Sequence, residues 1–336
     1  MPRQARIDAP GALHHIICRG IERRHVFKDD DDRDDFVRRL SDLLPQTSTR
    51  CYAWALLPNH FHLLLKTGAV PIATVMRRLL TGYAVSYNRR HARHGHLFQN
   101  RYKSILCQKD AYLLELIRYI HLNPFRAKQV FSLEELASHP WCGHGHLLGK
   151  KELDWQVRSE ILEHFGRKPS VSRQQYADFI RAGVAQGRRS DLAGGGLIRS
   201  VGGWKQLKEH TKGMHQKSDE RILGDGDFVE SVLAEAEEKL EHQRLYRQRG
   251  ITFDSLAEHL SVHFALPLSE ILSNSKQPRR VKARSLLCYW AVLELGMTAT
   301  AVAGKIGMTQ PAVSRAVERG RELSEELNLE EMERNT

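Results

Sequence analysis

Cys51-Tyr52-Ala53-Trp54-Ala55-Leu56-Leu57 runs into Pro58-Asn59, and then His60-Phe61-His62-Leu63-Leu64-Leu65-Lys66 follows. Both runs are β-rich, and the Pro-Asn break between them reads as the short connection of two antiparallel strands. Residues i and i+2 of a strand point to the same face. His60 and His62 therefore stand side by side, while Phe61 and Leu63 face a core.

Working outward, Leu13-His14-His15-Ile16-Ile17-Cys18 alternates as a strand and leads into the basic loop Arg19-Gly20-Ile21-Glu22-Arg23-Arg24. The acids from Asp29 to Asp35 precede Phe36, Val37, Leu40, Leu43 and Leu44 at helical spacing. Acids in a first turn complement the helix dipole, so this run reads as an N-terminal cap rather than as a metal site. Downstream, Val75, Met76, Leu79, Leu80, Tyr83 and Tyr87 predict a helix over 71–94. A strand is expected over 97–108, then a helix over 110–122 that stops before Pro124. The order β-α-β-β-α-β-α predicts an α+β domain with one antiparallel sheet and flanking helices.

The chain has 336 residues, 41% of them hydrophobic and 27% charged, which is enough for two or three globular cores. No apolar run reaches the ~18–20 residues of a membrane span, and the N-terminus lacks the apolar stretch of a secretory signal. Five widely spaced cysteines without CxxC fit a reduced, cytoplasmic protein better than a disulfide scaffold. The net charge of +11 is concentrated. Between Arg50 and Lys128 thirteen Lys/Arg face two acids, Asp110 and Glu115, and that local surplus equals the surplus of the whole chain. Such a field attracts polyanions, phosphate backbones first among them.

Two neutral imidazoles can begin a divalent-metal site but need a third ligand. In Leu114-Glu115-Leu116-Ile117-Arg118-Tyr119-Ile120-His121-Leu122-Asn123-Pro124, Tyr119 and Asn123 are i and i+4 and share a helix face. A metal would polarise a phosphodiester there and the tyrosine would attack phosphorus, with Arg118 and Arg126 gripping phosphate. The plainer reading keeps Tyr119 as a helix aromatic and Asn123 as a stop before proline. Tyr83, Tyr87, Tyr102 and Tyr112 compete for the nucleophile's place. His139, Cys142, His144 and His146 lie within eight residues but lack the paired arms of a zinc finger.

Four stretches taken together carry a resemblance: His15-Ile16-Ile17-Cys18-Arg19-Gly20, Pro58-Asn59-His60-Phe61-His62-Leu63-Leu64, Phe98-Gln99-Asn100-Arg101-Tyr102, and Tyr119-Ile120-His121-Leu122-Asn123-Pro124-Phe125-Arg126-Ala127. The first ~130 residues resemble the single-tyrosine transposases of the HUH endonuclease superfamily, in particular REP-associated tyrosine transposases, relatives of insertion-sequence-200-type enzymes. The resemblance implies a ferredoxin-like sheet, usually in a homodimer, and cleavage of single-stranded hairpin DNA through a 5′-phosphotyrosine. It implies His60 and His62 as metal ligands with Asn123 as the third, Tyr119 as nucleophile, and Mg²⁺ or Mn²⁺ as the ion. One departure is visible: Arg19-Gly20-Ile21 stands where relatives commonly carry Arg-Gly-Asn. Arg19, Arg101, Tyr102, Lys103, Arg118 and Arg126 are the expected DNA contacts of this domain.

The last part returns to helical patterns. Arg279-Arg280-Val281-Lys282-Ala283-Arg284 opens one helix, Thr298 can cap a second, Gly307 makes a turn, and Thr309 starts a third. This arrangement is similar to the helix-turn-helix of the replication initiator DnaA. It puts Gln310, Ser314, Arg315 and Arg319 outward toward duplex DNA. A plain three-helix bundle is the simpler reading. The expected domains are 1–130, a transposase/endonuclease domain; 131–250, a helical linker region; and 251–330, a DNA-binding domain. Between them, Ala193-Gly194-Gly195-Gly196 and Gly202-Gly203-Trp204 read as turns or a hinge without a P-loop's Gly-Lys-Ser/Thr, and Asp219 to Gly224 has no chemical role that its residues suggest. The expected activity is that of a metal-dependent single-strand endonuclease and strand transferase in a bacterial nucleoid. A domesticated, non-catalytic DNA-binding regulator is the alternative.

Overall fold

The computed structural model describes residues 7–8, 11–68, 70–187, 189, 192, 219, 221–273 and 275–326. Both glycine-rich stretches, 193–196 and 202–204, lie outside these residues. The chain divides into two compact units, Met1–Val232 and Leu233–Thr336.

The first unit is built on a sheet in the order β2-β3-β1-β4-β5, with β1 at Leu13–Arg19, β2 at Arg50–Leu57, β3 at His60–Lys66, β4 at Lys103–Cys107 and β5 at Ile222–Leu223. Alternation along the strands divides the side chains between two cores. Ile16, Cys18, Trp54, Leu56, Phe61, Leu63 and Leu65 face one side. Helices α1 (Asp30–Gln46) and α2 (Ile72–Arg90) cover them. Leu13, Ala55, Leu57, Leu64 and Ile105 face the other side, where α3 (Lys109–His121) packs Leu113, Leu116, Ile117 and Ile120. An α+β sheet with helices on its faces results, as the alternation predicts.

Asp29 caps α1, its carboxylate accepting from the Asp32 amide at 3.1 Å. The hydroxyls of Tyr83 and Tyr87 are tied to the backbone carbonyls of Val26 and His25, which makes both tyrosines part of the core under α2.

Two features depart from the sequence reading. The stretch 97–102 contributes a single bridge, Phe98 to Gly20, and β4 begins at Lys103. The sheet is mixed rather than antiparallel, because β5 pairs parallel to β4. The Leu106 amide donates to the Arg221 carbonyl at 2.7 Å, and the Gln108 amide donates to Leu223 at 2.8 Å. Asp219, ion-paired with Arg221, thus belongs to a segment that extends the sheet edge.

Residues beyond 130 are also structural. Leu136, Cys142, Leu147, Ile161, Leu162, Phe165, Tyr176 and Ile180 join the core on the α3 side. At its centre the Tyr176 hydroxyl lies 2.8 Å from Nδ1 of both His121 and His144. One hydroxyl proton serves only one of them, so the other imidazole must donate to the tyrosine oxygen. His146 is bound to the Gln156 carbonyl at 3.2 Å.

In the second unit, Thr252 and Ser255 form a reciprocal capping box at the start of the helix Phe253–His263. Helices Pro278–Leu293, Ala299–Ile306 and Gln310–Glu326 follow. Thr298 caps the middle one through the Ala301 amide, and Gly307 ends it at φ 63°, a left-handed conformation that suits glycine. Arg284 is buried and its guanidinium serves the carbonyls of Ser273 and Ser275. Among the described residues no helix is long and apolar enough to cross a membrane, and all five cysteines are buried outside any disulfide.

Candidate active site

His60 and His62 stand on the α3 face of β3, as their spacing requires. Pairing of β1 with β3 sets Arg19 opposite His60 and Ile17 opposite His62. His15, two residues before Ile17, falls diagonally beside His62, within the reach of cross-strand neighbours. The rings of His15 and His62 stack at 5.3 Å, and His62 Nδ1 lies 3.0 Å from His15 Nε2. His60 meets His62 edge-on at 5.2 Å.

The last turn of α3 brings Tyr119 over this group. Its ring lies edge-on to His62 at 5.7 Å and to His15 at 5.8 Å, and 9% of the residue is exposed. Tyrosine and histidines thus converge within one chain. Asn123, one turn further on, donates its amide nitrogen to the Tyr119 carbonyl at 2.9 Å. That bond leaves Oδ1 as the donor atom available to a cation. Arg126 reaches back over Tyr119, with Cζ 5.6 Å from the ring centroid. Its Nη2 donates to the Gly183 carbonyl at 3.3 Å.

Electrostatics favour neutral imidazoles. Burial, reinforced by the Arg19 cation, lowers His60 to about 4. Burial, then the His15, His60 and Arg19 charges, push His62 well below the ordinary histidine range. Two neutral imidazoles are nitrogen donors that Mn²⁺ takes more readily than Mg²⁺, and the pair fits a divalent ion of the kind the resemblance implies.

The remaining expected residues divide. Arg19, Arg101 and Lys103 are exposed. Tyr102 is buried against the α1/α2 core. Arg118 is 7% exposed, pairs with Glu115 and lies 4.2 Å over the Phe179 ring, so its guanidinium is engaged inside the fold rather than presented to phosphate. In the second unit Arg315 and Arg319 are exposed, whereas Ser314 is 6% exposed. Ser314 donates to the Gln310 carbonyl and accepts from the Gln310 amide nitrogen at 2.8 Å, so it faces inward, contrary to expectation. Asp29, Asp32 and His91 place potential ligand atoms within 4.8 Å of one another, but Arg90 already pairs with Asp29, Asp31 and Asp32 and supplies the cation there.

His15 is the member of the site that the sequence reading left out. The signal was present in the odd-numbered alternation of His15, Ile17 and Arg19, but only the β1–β3 register turns it into contact with His62.

No curated protein matches the chain. A solved structure described as "Structure of the REP associates tyrosine transposase bound to a REP hairpin" aligns with 47% of this chain and 98% of its own, at 12% identity and a TM-score of 0.37. Residues 10–123 match the family described as "Transposase IS200 like". The matched segment carries β1 to β4, the histidine pair and Tyr119, so the likeness to that family falls on the part of the chain that holds the candidate site.

Proposed function

We propose that this chain cleaves and rejoins single-stranded DNA at hairpin-forming repeats through a 5′-phosphotyrosine on Tyr119. The observation that carries the reading is the edge-on packing of Tyr119 against His62 and His15 in one chain. A nucleophile beside neutral imidazoles can attack without help from a second subunit. The Tyr119 oxygen bonds to the scissile phosphorus as the P–O3′ bond breaks. The phenolic proton is lost, the departing 3′ oxygen gains one, and the phosphate stays esterified on the 5′ side. Arg126, beside the ring, favours the phenolate, and exposed Arg19, Arg101 and Lys103 hold the strand's phosphates. His60 and His62, with Asn123 as third ligand, hold Mg²⁺ or Mn²⁺. Bound there, the ion supplies Lewis-acid polarisation of the scissile phosphate.

Rejoining two ends requires a second Tyr119, hence a homodimer. Residues 1–130 would carry the chemistry, and the core residues from Leu136 to Ile180 would buttress it. The helices within 251–330 would act as a helix-turn-helix that reads a stem or duplex through Gln310, Arg315 and Arg319. Such an enzyme works in the cytoplasm, where the nucleoid DNA lies.

The test is incubation with Mn²⁺ or Mg²⁺ and labelled hairpins from repeats flanking its own gene, followed by a denaturing gel and peptide mapping. A covalent adduct on Tyr119 that disappears with EDTA is expected. Tyr119→Phe keeps the ring against His15 and His62, so it should abolish the adduct and leave hairpin affinity within about threefold. Tight hairpin binding by the wild type without an adduct under either ion would refute the reading and favour the non-catalytic regulator.

A further inference from the structure

The hydrogen bonds around the histidine pair have fixed directions, and they can be followed to their ends. The Leu192 carbonyl lies 3.2 Å from His15 Nδ1. A carbonyl only accepts, so Nδ1 of His15 carries the hydrogen. His15 is fully buried, which disfavours the cation, and a neutral imidazole has one N–H. Its Nε2 is therefore a lone pair, and the group facing it at 3.0 Å, His62 Nδ1, must be the donor. The remaining nitrogen of His62, Nε2, is then an unprotonated ligand atom.

His60 reaches the same state by a local route. The Asn59 amide nitrogen donates to the Arg23 carbonyl at 3.2 Å, which fixes the side chain's orientation. Asn59 Oδ1 is thereby the atom 2.7 Å from His60 Nδ1, and it too only accepts. Both histidines keep the hydrogen on Nδ1 and present Nε2.

We infer that His15 is a positioning residue of the active site, and that the Leu192 carbonyl, acting through it, sets the tautomer of His62. Leu192 lies beyond the IS200-like segment 10–123. The later part of the chain consequently does more than cover the sheet, because its backbone ends the relay that readies a ligand. A partner on the far nitrogen is how proteins commonly orient a metal-binding histidine and raise its basicity. Here the partner is a second imidazole seated on a backbone carbonyl rather than a carboxylate, which adds no negative charge where a phosphate must bind.

The tautomer assignment stands on hydrogen-bond geometry and the burial of His15, and its consequence for the metal rests on the function proposed above. Long-range ¹H–¹⁵N correlation spectra of metal-free protein labelled at histidine read the tautomers directly. His15, His60 and His62 should all appear as the Nδ1–H form, and an Nε2–H form of His62 would overturn the inference. Mn²⁺ affinity, measured without DNA by calorimetry, gives a second reading. His15→Phe retains a ring but offers no acceptor and should weaken Mn²⁺ binding about 10–100-fold, whereas His15→Gln, whose amide oxygen can accept from His62, should restore it to within about threefold. Equal affinity in His15→Phe and wild type would overturn the inference. Nδ1–H tautomers in a wild type that binds no Mn²⁺ would support the relay while refuting the metal reading.

Discussion

Arg126 gives the sharpest test of the nucleophile's role proposed for Tyr119. Its guanidinium lies 5.6 Å from the tyrosine ring centroid and donates to the Tyr119 and Gly183 carbonyls. Burial lowers the pKa of this half-buried arginine, and a negative Tyr119 pulls it back up. The same attraction, seen from the phenol, favours phenolate. Two unit charges about 6 Å apart interact by about 3 kcal/mol at an effective dielectric of ~20. Solvent around the partly exposed guanidinium screens part of this, and a remainder of about 1.4 kcal/mol corresponds to about tenfold in rate.

Arg126→Met keeps most of the stem and removes the charge. Single-turnover adduct formation at fixed pH should fall about tenfold, and its pH profile should move alkaline. Arg126→Lys should recover part of both. Hairpin affinity measured alongside separates this role from a plain phosphate contact. A loss confined to affinity, with the pH profile unmoved, would refute the argument.

Two predictions concern stability. Burial lowers His144 and His139 to about 4 and His121 well below its ordinary value, while the unfolded chain titrates near 6.5. Between those values the unfolded state binds protons that the fold excludes. The stabilisation is full above about pH 6.5 and is lost as pH falls toward 4, at about 1.4 kcal/mol per pH unit for each such histidine. Urea midpoints should drop steadily from pH 7 to pH 5, and a flat profile would show that these imidazoles are not held neutral. In the second unit, a Cβ on Gly320 would lie 2.2 Å from the Ser285 carbonyl oxygen and 2.6 Å from Tyr289 Cβ, whereas one on Gly304 meets nothing within 4 Å. Gly320→Ala should therefore cost about 1–3 kcal/mol by overpacking. Gly304→Ala should be neutral or stabilising by up to about 1 kcal/mol. Hydrogen exchange over 253–326 distinguishes the two, and equal protection in both variants would contradict the close helix crossing.

The legible parts of the chain are those whose information is local. Asp29 and Thr298 cap helices with their own side chains, and Gly307 turns on its own φ. The face shared by His60 and His62 follows from two-residue periodicity. Less legible were groups whose state depends on a partner distant in sequence. Arg118 and Arg126 read alike as basic residues beside Tyr119. One is sequestered by Glu115 and Phe179, the other lies over the tyrosine ring. Ser314 reads as an outward helix residue, yet it is buried.

The sequence by itself determined the strand and helix order from β1 to α3, the histidine pair and the tyrosine at the end of the helix. Periodicity and capping act over a few residues, and local sterics and hydrogen bonding suffice to write them. Tertiary structure alone decided that Ile222–Leu223 completes the sheet in parallel, that His15 lies against His62, and that the Leu192 carbonyl faces it. Strand register and backbone carbonyls leave no trace in residue type: any residue offers a carbonyl, and only the folded chain decides which one faces an imidazole.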